Sequence, residues 1–270
     1  MSADTTRLFD VGQALEHIEE LASQRPVAAR IIAESSTETA DANALAQLLA
    51  ADVTLAGRVM KLANSAYFGM RGRVSSLQFA VTVVGFTTVR TVATVALTDL
   101  GDESRLPEDF WAVSTSLAVA ASRLAPSFGE RPGDALCLGA LAQLGSALLY
   151  HRDEAHYAEL LAAEVSFAGR RRKETERYGM SAVQLTAAAL EQWGFPPSMV
   201  MPLERVDDRT SAAGGLLRTG YEVVSRLVIA DHRPTPIGPL SGNRIREDHL
   251  PEILYAVRNQ AADLRQLMIG

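Results

Sequence analysis

The side chains able to do chemistry are few and scattered. His151 and His156 are five positions apart, which sets them about 140° apart around a helix of 3.6 residues per turn, so they do not form a chelating pair. His232 and His249 stand on either side of a Pro- and Gly-rich stretch and read as surface histidines. Cys137, the one cysteine, sits among Leu136, Leu138 and Leu141 and has no evident base partner, so it reads as a small buried hydrophobe. No Gly-x-Gly-x-x-Gly and no Gly-Lys-Ser/Thr phosphate loop occurs. Recognition has more material. Arg71, Gly72 and Arg73 lie beside Tyr67 and Phe68 and near Arg90, either a cationic, partly aromatic patch for an acidic partner or phosphate, or turn arginines backed by core aromatics. Asn64 and Ser65 come late in a helix, where such side chains commonly bond the following turn; Asn64 is also kept as a possible ligand contact. Arg170, Arg171 and Arg172 form the densest basic run, but Glu174 and Glu176 follow, which predicts a solvated mixed-charge helix face.

Helices must position these groups. Apolar residues recur at spacings of three and four, and sustained period-two runs are missing, so the fold class is all-α. An N-terminal lobe over residues 11–100 is expected to hold six helices. The first opens at Asp10, Pro26 suits the first turn of the second, and Asp41, Asp52 and Ser76 begin later ones, with Gly85 separating the last two. The polar stretch 101–107 is the candidate hinge. A second lobe over 105–232 is predicted to carry helices near 107–125, 134–151, 153–167, 181–193, 197–206 and 214–231. Residues 233–246, rich in Pro and Gly, read as a linker before a terminal amphipathic helix over 247–270. On that helix Leu250, Leu254, Val257, Ala261, Leu264 and Met268 alternate spacings of four and three, as a coiled-coil seam does. Such a helix can dock on its own domain, pair two copies as a homodimer, or enter a partner's groove.

Composition narrows the function classes. With 270 residues, 47% hydrophobic and 21% charged, the chain can bury a large core without disulfides or a structural metal. No run approaches 18 consecutive apolar residues, and acidic residues punctuate the first twenty, so neither a membrane span nor a signal peptide is expected and a cytoplasmic location is. A formal charge of −6 gives no overall attraction to a phosphate backbone, so nucleic-acid binding would need a local basic patch.

Several segments together are more specific. RVMKLANSAYFG at 58–69 is followed by VSSLQFAVTVVGFTTVR at 74–90, FWAVSTSLAVAASRLA at 110–125, GALAQLGSALL at 139–149 and YGMSAVQLTAAALEQWGFP at 178–196. In order and spacing this resembles the HDOD family, bacterial signalling domains related to the HD phosphohydrolases, over residues 11–232. The resemblance implies a second lobe built as an HD-like helical bundle. It also implies where metal ligands would stand. Val113 occupies the place of a first His, Ala142 and Gln143 that of the His-Asp doublet, Ser146 a frequent lysine position and Ala182 another frequent histidine, leaving Asp231 as a remnant carboxylate. Metal-assisted hydrolysis needs an ion to polarise phosphate and generate hydroxide, and neither Val nor Ala binds one. The expectation is therefore a signalling adaptor or regulator without catalysis, metal or cofactor, acting on a protein partner in a bacterial signalling pathway. Its alternatives are a sensor of a nucleotide second messenger such as a cyclic dinucleotide, a residual metal-dependent phosphohydrolase, and a DNA-binding regulator.

Overall fold

Local sequence starts and stops most of the helices. The computed structural model describes residues 24–269 apart from 38 and 101; the helix expected from Asp10 lies outside them. Helix α1 (Pro26–Glu34) opens on a proline, whose missing N–H falls where no intrahelical partner exists. Asp41 caps α2 (Ala42–Ala50) by accepting from the Asn43 and Ala44 amides at 2.7 and 2.9 Å. Asp52 caps α3 (Val53–Ala63) in the same way, and Ser76 caps α4 (Leu77–Val84). Gly85, at φ +82°, then turns the chain sharply into α5 (Phe86–Leu97). Helix α3 buries Leu55, Val59 and Leu62 on one face, whereas α5 is buried all round, with every residue from Thr88 to Leu97 inside.

Helix α6 (Phe110–Phe128) is the axis of the molecule. Against it pack α7 (Pro132–Leu141), α13 (Gly215–Val228) and α15 (Leu250–Ile269). The approach of α6 and α7 is close enough that a Cβ at Gly139 would fall 2.5 Å from the Ala118 Cα. The helix expected over 134–151 is in fact two. The chain breaks at Ala142 and Gln143 before α8 (Leu144–Arg152), and Gly145 allows that turn to press against the Ala182 carbonyl. Around α8 lie α9 (Glu154–Ala163), α10 (Phe167–Tyr178) and α11 (Ala182–Gln192), the last begun by a capping box between Ser181 and Gln184. Helix α12 (Pro197–Glu204) leads towards α13. No strand occurs among the described residues, and the fold is all-α.

One apolar cluster runs without interruption from Ala28 to Met268; a smaller one gathers Leu149, Tyr157, Leu160, Tyr178, Ala182 and Leu185. Residues 233–246 are seated on the domain: a single turn, α14 (Ile237–Leu240), buries Ile237, and Ile245 is buried after it. Helix α15 lies on its own chain, with Leu250, Ile253, Ala256, Val257, Leu264 and Met268 inward. Leu254 and Ala261 of the predicted seam are only half-buried, because the buried stripe follows the broader face of a helix packed on a domain. Within the α7–α8 stretch Pro132–Arg152, an 18-residue window with a mean hydropathy of 1.2 is apolar enough to cross a membrane by length and composition, and 72% of that window is buried inside the fold. The α4–α5 pair, which passes the same test jointly, is bent by 103°.

Candidate functional site

The break between α7 and α8 sets Ala142, Gln143 and Ser146 close to Ala182. Val113 on α6, Ala142, Ser146 on α8 and Ala182 at the start of α11 are all buried. Gln143 is half-buried and its Nε2 donates to the Tyr221 hydroxyl on α13 at 3.0 Å. Asp231 does not belong to this group as a helical ligand. Helix α13 ends at Val228, Ile229 is extended, and Asp231 is exposed in a turn at φ +54°. The buried carboxylate of that region is Glu222, one α-helical turn and more before the helix end, and it accepts from Arg226 Nε at 2.8 Å and the Thr235 amide at 2.9 Å. His232, read as a surface histidine, is instead half-buried, 3.1 Å from the same carboxylate.

Polar side chains from α9, α10 and α11 fill in around Ser146 and Ala182. The Tyr157 hydroxyl of α9 bridges Glu174 Oε1 at 2.7 Å and Ser146 Oγ at 2.9 Å. The Ala182 amide donates to Glu174 Oε2 at 2.8 Å, and the Gly145 amide to Thr186 Oγ1 at 2.8 Å. Burial raises the Glu174 pKa above its ordinary value, against the opposing pull of the bonds from Tyr157 and Ala182. Burial, with the Glu174 charge next in weight, holds the Tyr157 phenol well above its ordinary range. Beside this network Arg171 makes a forked pair with Asp207, Nε to Oδ2 at 2.9 Å and Nη2 to Oδ1 at 2.7 Å, and lies 5.1 Å from the centre of the Tyr221 ring. Arg170 pairs with Asp109 at 2.6 Å. The basic run is a solvated mixed-charge face only in part: Arg172 and Glu176 are exposed, whereas Arg171 and Glu174 are buried because their partners arrive from distant sequence, 36 positions away for Asp207 and 17 for Tyr157.

These residues do not fit a divalent metal. Apolar Val113, Ala142 and Ala182 and neutral Gln143 and Ser146 supply no anionic or imidazole ligand, and the oxygens of Glu174 are already engaged by Tyr157 and Ala182. Among the described residues no group of three or more His, Cys, Asp or Glu side chains is arranged to hold an ion. Cys137 is buried, 3.6 Å from Thr88 Oγ1, and burial pushes its thiol up to about 11, which keeps it un-ionised and inert.

The cationic patch divides. Asn64 uses both ends of its amide on Val74, donating to its carbonyl at 2.8 Å and accepting from its N–H at 3.0 Å, so it closes the 64–74 turn. Arg90 is 6% exposed and cannot meet a surface partner. Its Nε donates to Ser35 Oγ at 3.0 Å, Nη1 to the Gly194 carbonyl at 2.7 Å, and Nη2 to the Ser35 carbonyl, while the guanidinium lies 4.9 Å from the Phe195 ring centre. A stretch of sequence cannot reveal that coupling, since the acceptors lie 55 and 104 positions away. Arg71 and Arg73 remain exposed. Arg71 stands at the edge of a groove of about 890 Å³ between the α3 end, α6 and α15.

Comparison with known proteins places the architecture. A crystal structure described as a candidate phosphohydrolase from Shewanella amazonensis SB2B superposes with a TM-score of 0.71 at 23% identity, covering 94% of this chain and 97% of the other. A candidate signal transduction protein from Marinobacter aquaeolei VT8 gives 0.70 at 21% identity over 91% of this chain, which spans 59% of that one. An HDOD domain protein of unknown function from Geobacter sulfurreducens gives 0.62 at 18% identity, covering 96% and 98%. At these identities the likeness is one of fold. No functionally curated protein matches the chain. The HDOD domain model matches residues 21–208, well over half of the sequence, and through all of the helices from α1 to α12 the chain belongs to the HDOD family.

Proposed function

We propose that this protein is a signal-transduction adaptor or regulator without catalytic activity, working in the cytoplasm by contact with a protein partner. Family membership supports the signalling role. The absence of catalysis is supported by one observation above all. Around the places where HD enzymes hold metal, the side chains are Val113, Ala142 and Gln143, and the neighbouring polar groups are spent on each other in the Tyr157–Ser146–Glu174 and Gln143–Tyr221 bonds. Such a network rigidifies a core, and it leaves no ionised base directed at a substrate. Information then passes through surfaces. Helix α15 is the element whose displacement would change the surface most, since it covers parts of α6, α13 and α3.

The purified full chain, assayed with Mg²⁺, Mn²⁺ and Zn²⁺ against phosphomonoester and phosphodiester substrates, is expected to show no turnover above buffer. Capture from the native cytosol followed by identification of the retained protein is expected to yield one dominant partner, with retention changed by truncation after Asn243. Metal-dependent turnover lost on chelation would overturn the reading. Light scattering of the same two forms tests the homodimer: because α15 spends its apolar face on its own chain, the intact protein is expected to be monomeric.

A further inference from the structure

The groove beside Arg71 has the makings of a ligand site. Its volume of about 890 Å³ lies within the roughly 300–1,000 Å³ range of small-molecule pockets. Three elements wall it: the end of α3 and its following turn, the outer face of α6 through Arg123, and the last turns of α15 through Gln260 and Leu267. Lys61, Arg71 and Arg123 line it with a single carboxylate, Asp263, and none of the four forms an ion pair among the described residues. The buried and half-buried Arg170, Arg171 and Arg226 are matched with acids, whereas these three cations stand together around one open volume. The groove therefore carries an unspent positive charge.

Two further atoms lack partners there. Ser65 Oγ and Gln260 Oε1 are shielded from solvent and make no hydrogen bond among the described residues, which favours rotation of these groove-lining side chains towards a ligand that supplies one. A simple fatty acid would satisfy the cations and leave these two atoms unpaired. Tyr67 and Leu264 add an aromatic and an apolar surface.

From these observations we infer that the groove binds an organic phosphate with a polar, partly aromatic body, the chemistry of a nucleotide. Arg71 and Arg123 would take the phosphate through their planar, multiply donating guanidinium groups, and Ser65 and Gln260, once rotated into the groove, the hydroxyl or amino groups of the body. Because α15 supplies one wall, an occupied groove fastens that helix to α3 and α6. The inference rests on the adaptor reading only in treating ligand binding as its input.

Titration calorimetry on the full chain with guanosine monophosphate, cyclic diguanosine monophosphate and inorganic phosphate tests it. At least one nucleotide is expected to bind tenfold or more tightly than inorganic phosphate. The double variant Arg71→Ala/Arg123→Ala is expected to weaken that binding at least tenfold, and Gln260→Leu to weaken it severalfold, with unchanged circular dichroism. Binding of neither nucleotide beyond the level of inorganic phosphate overturns the inference, as does binding untouched by the double variant. A dimer in light scattering that the double variant dissolves would also overturn it, by assigning the groove to a second copy. Failure here leaves the adaptor reading standing. Metal-dependent turnover that survives in the double variant would instead sink the adaptor reading and spare the groove.

Discussion

Two regions of this molecule treat polar groups in opposite ways. Around Ser146 and Glu174 most polar groups are answered by a neighbour, as with the Tyr157 bridge and the forked Arg171–Asp207 pair, and only Arg171 Nη1 is buried there without a partner among the described residues. Beside Arg71 the cations stand exposed and unpaired around open volume, and two shielded oxygens have no partner among the described residues. Polar residues therefore stabilise the fold in the first region, whereas in the second they contribute little to it and are available to something else. The positions that the HD resemblance singles out are structural ones, and the groove beside Arg71 has the features of a binding site.

Substitutions can break or sharpen this contrast. The largest effect is expected from Gly145→Val in the closed region, because even the first added carbon would lie 1.9 Å from the Ala182 carbonyl oxygen. A loss of about 3 kcal/mol or more in urea denaturation is expected, and a loss below about 1 kcal/mol would show that α8 and α11 are not in close contact. Next comes Arg171→Ala, which removes the fork to Asp207 and the contact with Tyr221. It is expected to lower stability by about 2 kcal/mol, since Asp207 itself keeps access to water.

Glu174→Gln is smaller and depends on pH. The folded-state pKa of Glu174 is raised by burial, so its protonation favours the fold: that contribution is full below the unfolded value near 4.5 and is lost as pH rises through the folded value. The stability of the Gln variant relative to the native protein should accordingly climb across that window, measured by denaturation from pH 4 to 8. A difference that does not change with pH would mean that Glu174 is solvated. Smallest is Arg71→Ala in the open region, expected to shift stability by no more than about 0.5 kcal/mol. A larger loss in thermal unfolding would place Arg71 among the structural residues and erase the contrast.

Much of the fold was legible because helix signals are local. Asp41, Asp52 and Ser76 cap helices where their position before apolar-periodic segments says they should, and Pro26 opens α1. The break at Ala142 and Gln143 was not legible, since the apolar run continues straight through it and neither residue is a strong helix breaker. Helix α10 was misjudged for a related reason. Phe167, Arg171, Glu174 and Tyr178, spaced by four, three and four, share one face, and this spacing aligns the charges with the aromatics as an inward stripe. Charge alone suggested solvent. The family signature indicated which positions to inspect, and it did so through the order of its blocks. It gave no hint that Arg90 is internal or that Arg71 borders a groove, because both follow from which distant segments meet.

Arg90 ties the 35 and 194 turns to one guanidinium. Any fragment ending before residue 194 strands that cation with one of its three acceptors gone, and any fragment starting after residue 35 removes the other two. The apparent hinge near 101–107 is thus spanned by an internal rivet, and the shortest autonomous piece of this chain must contain both turns.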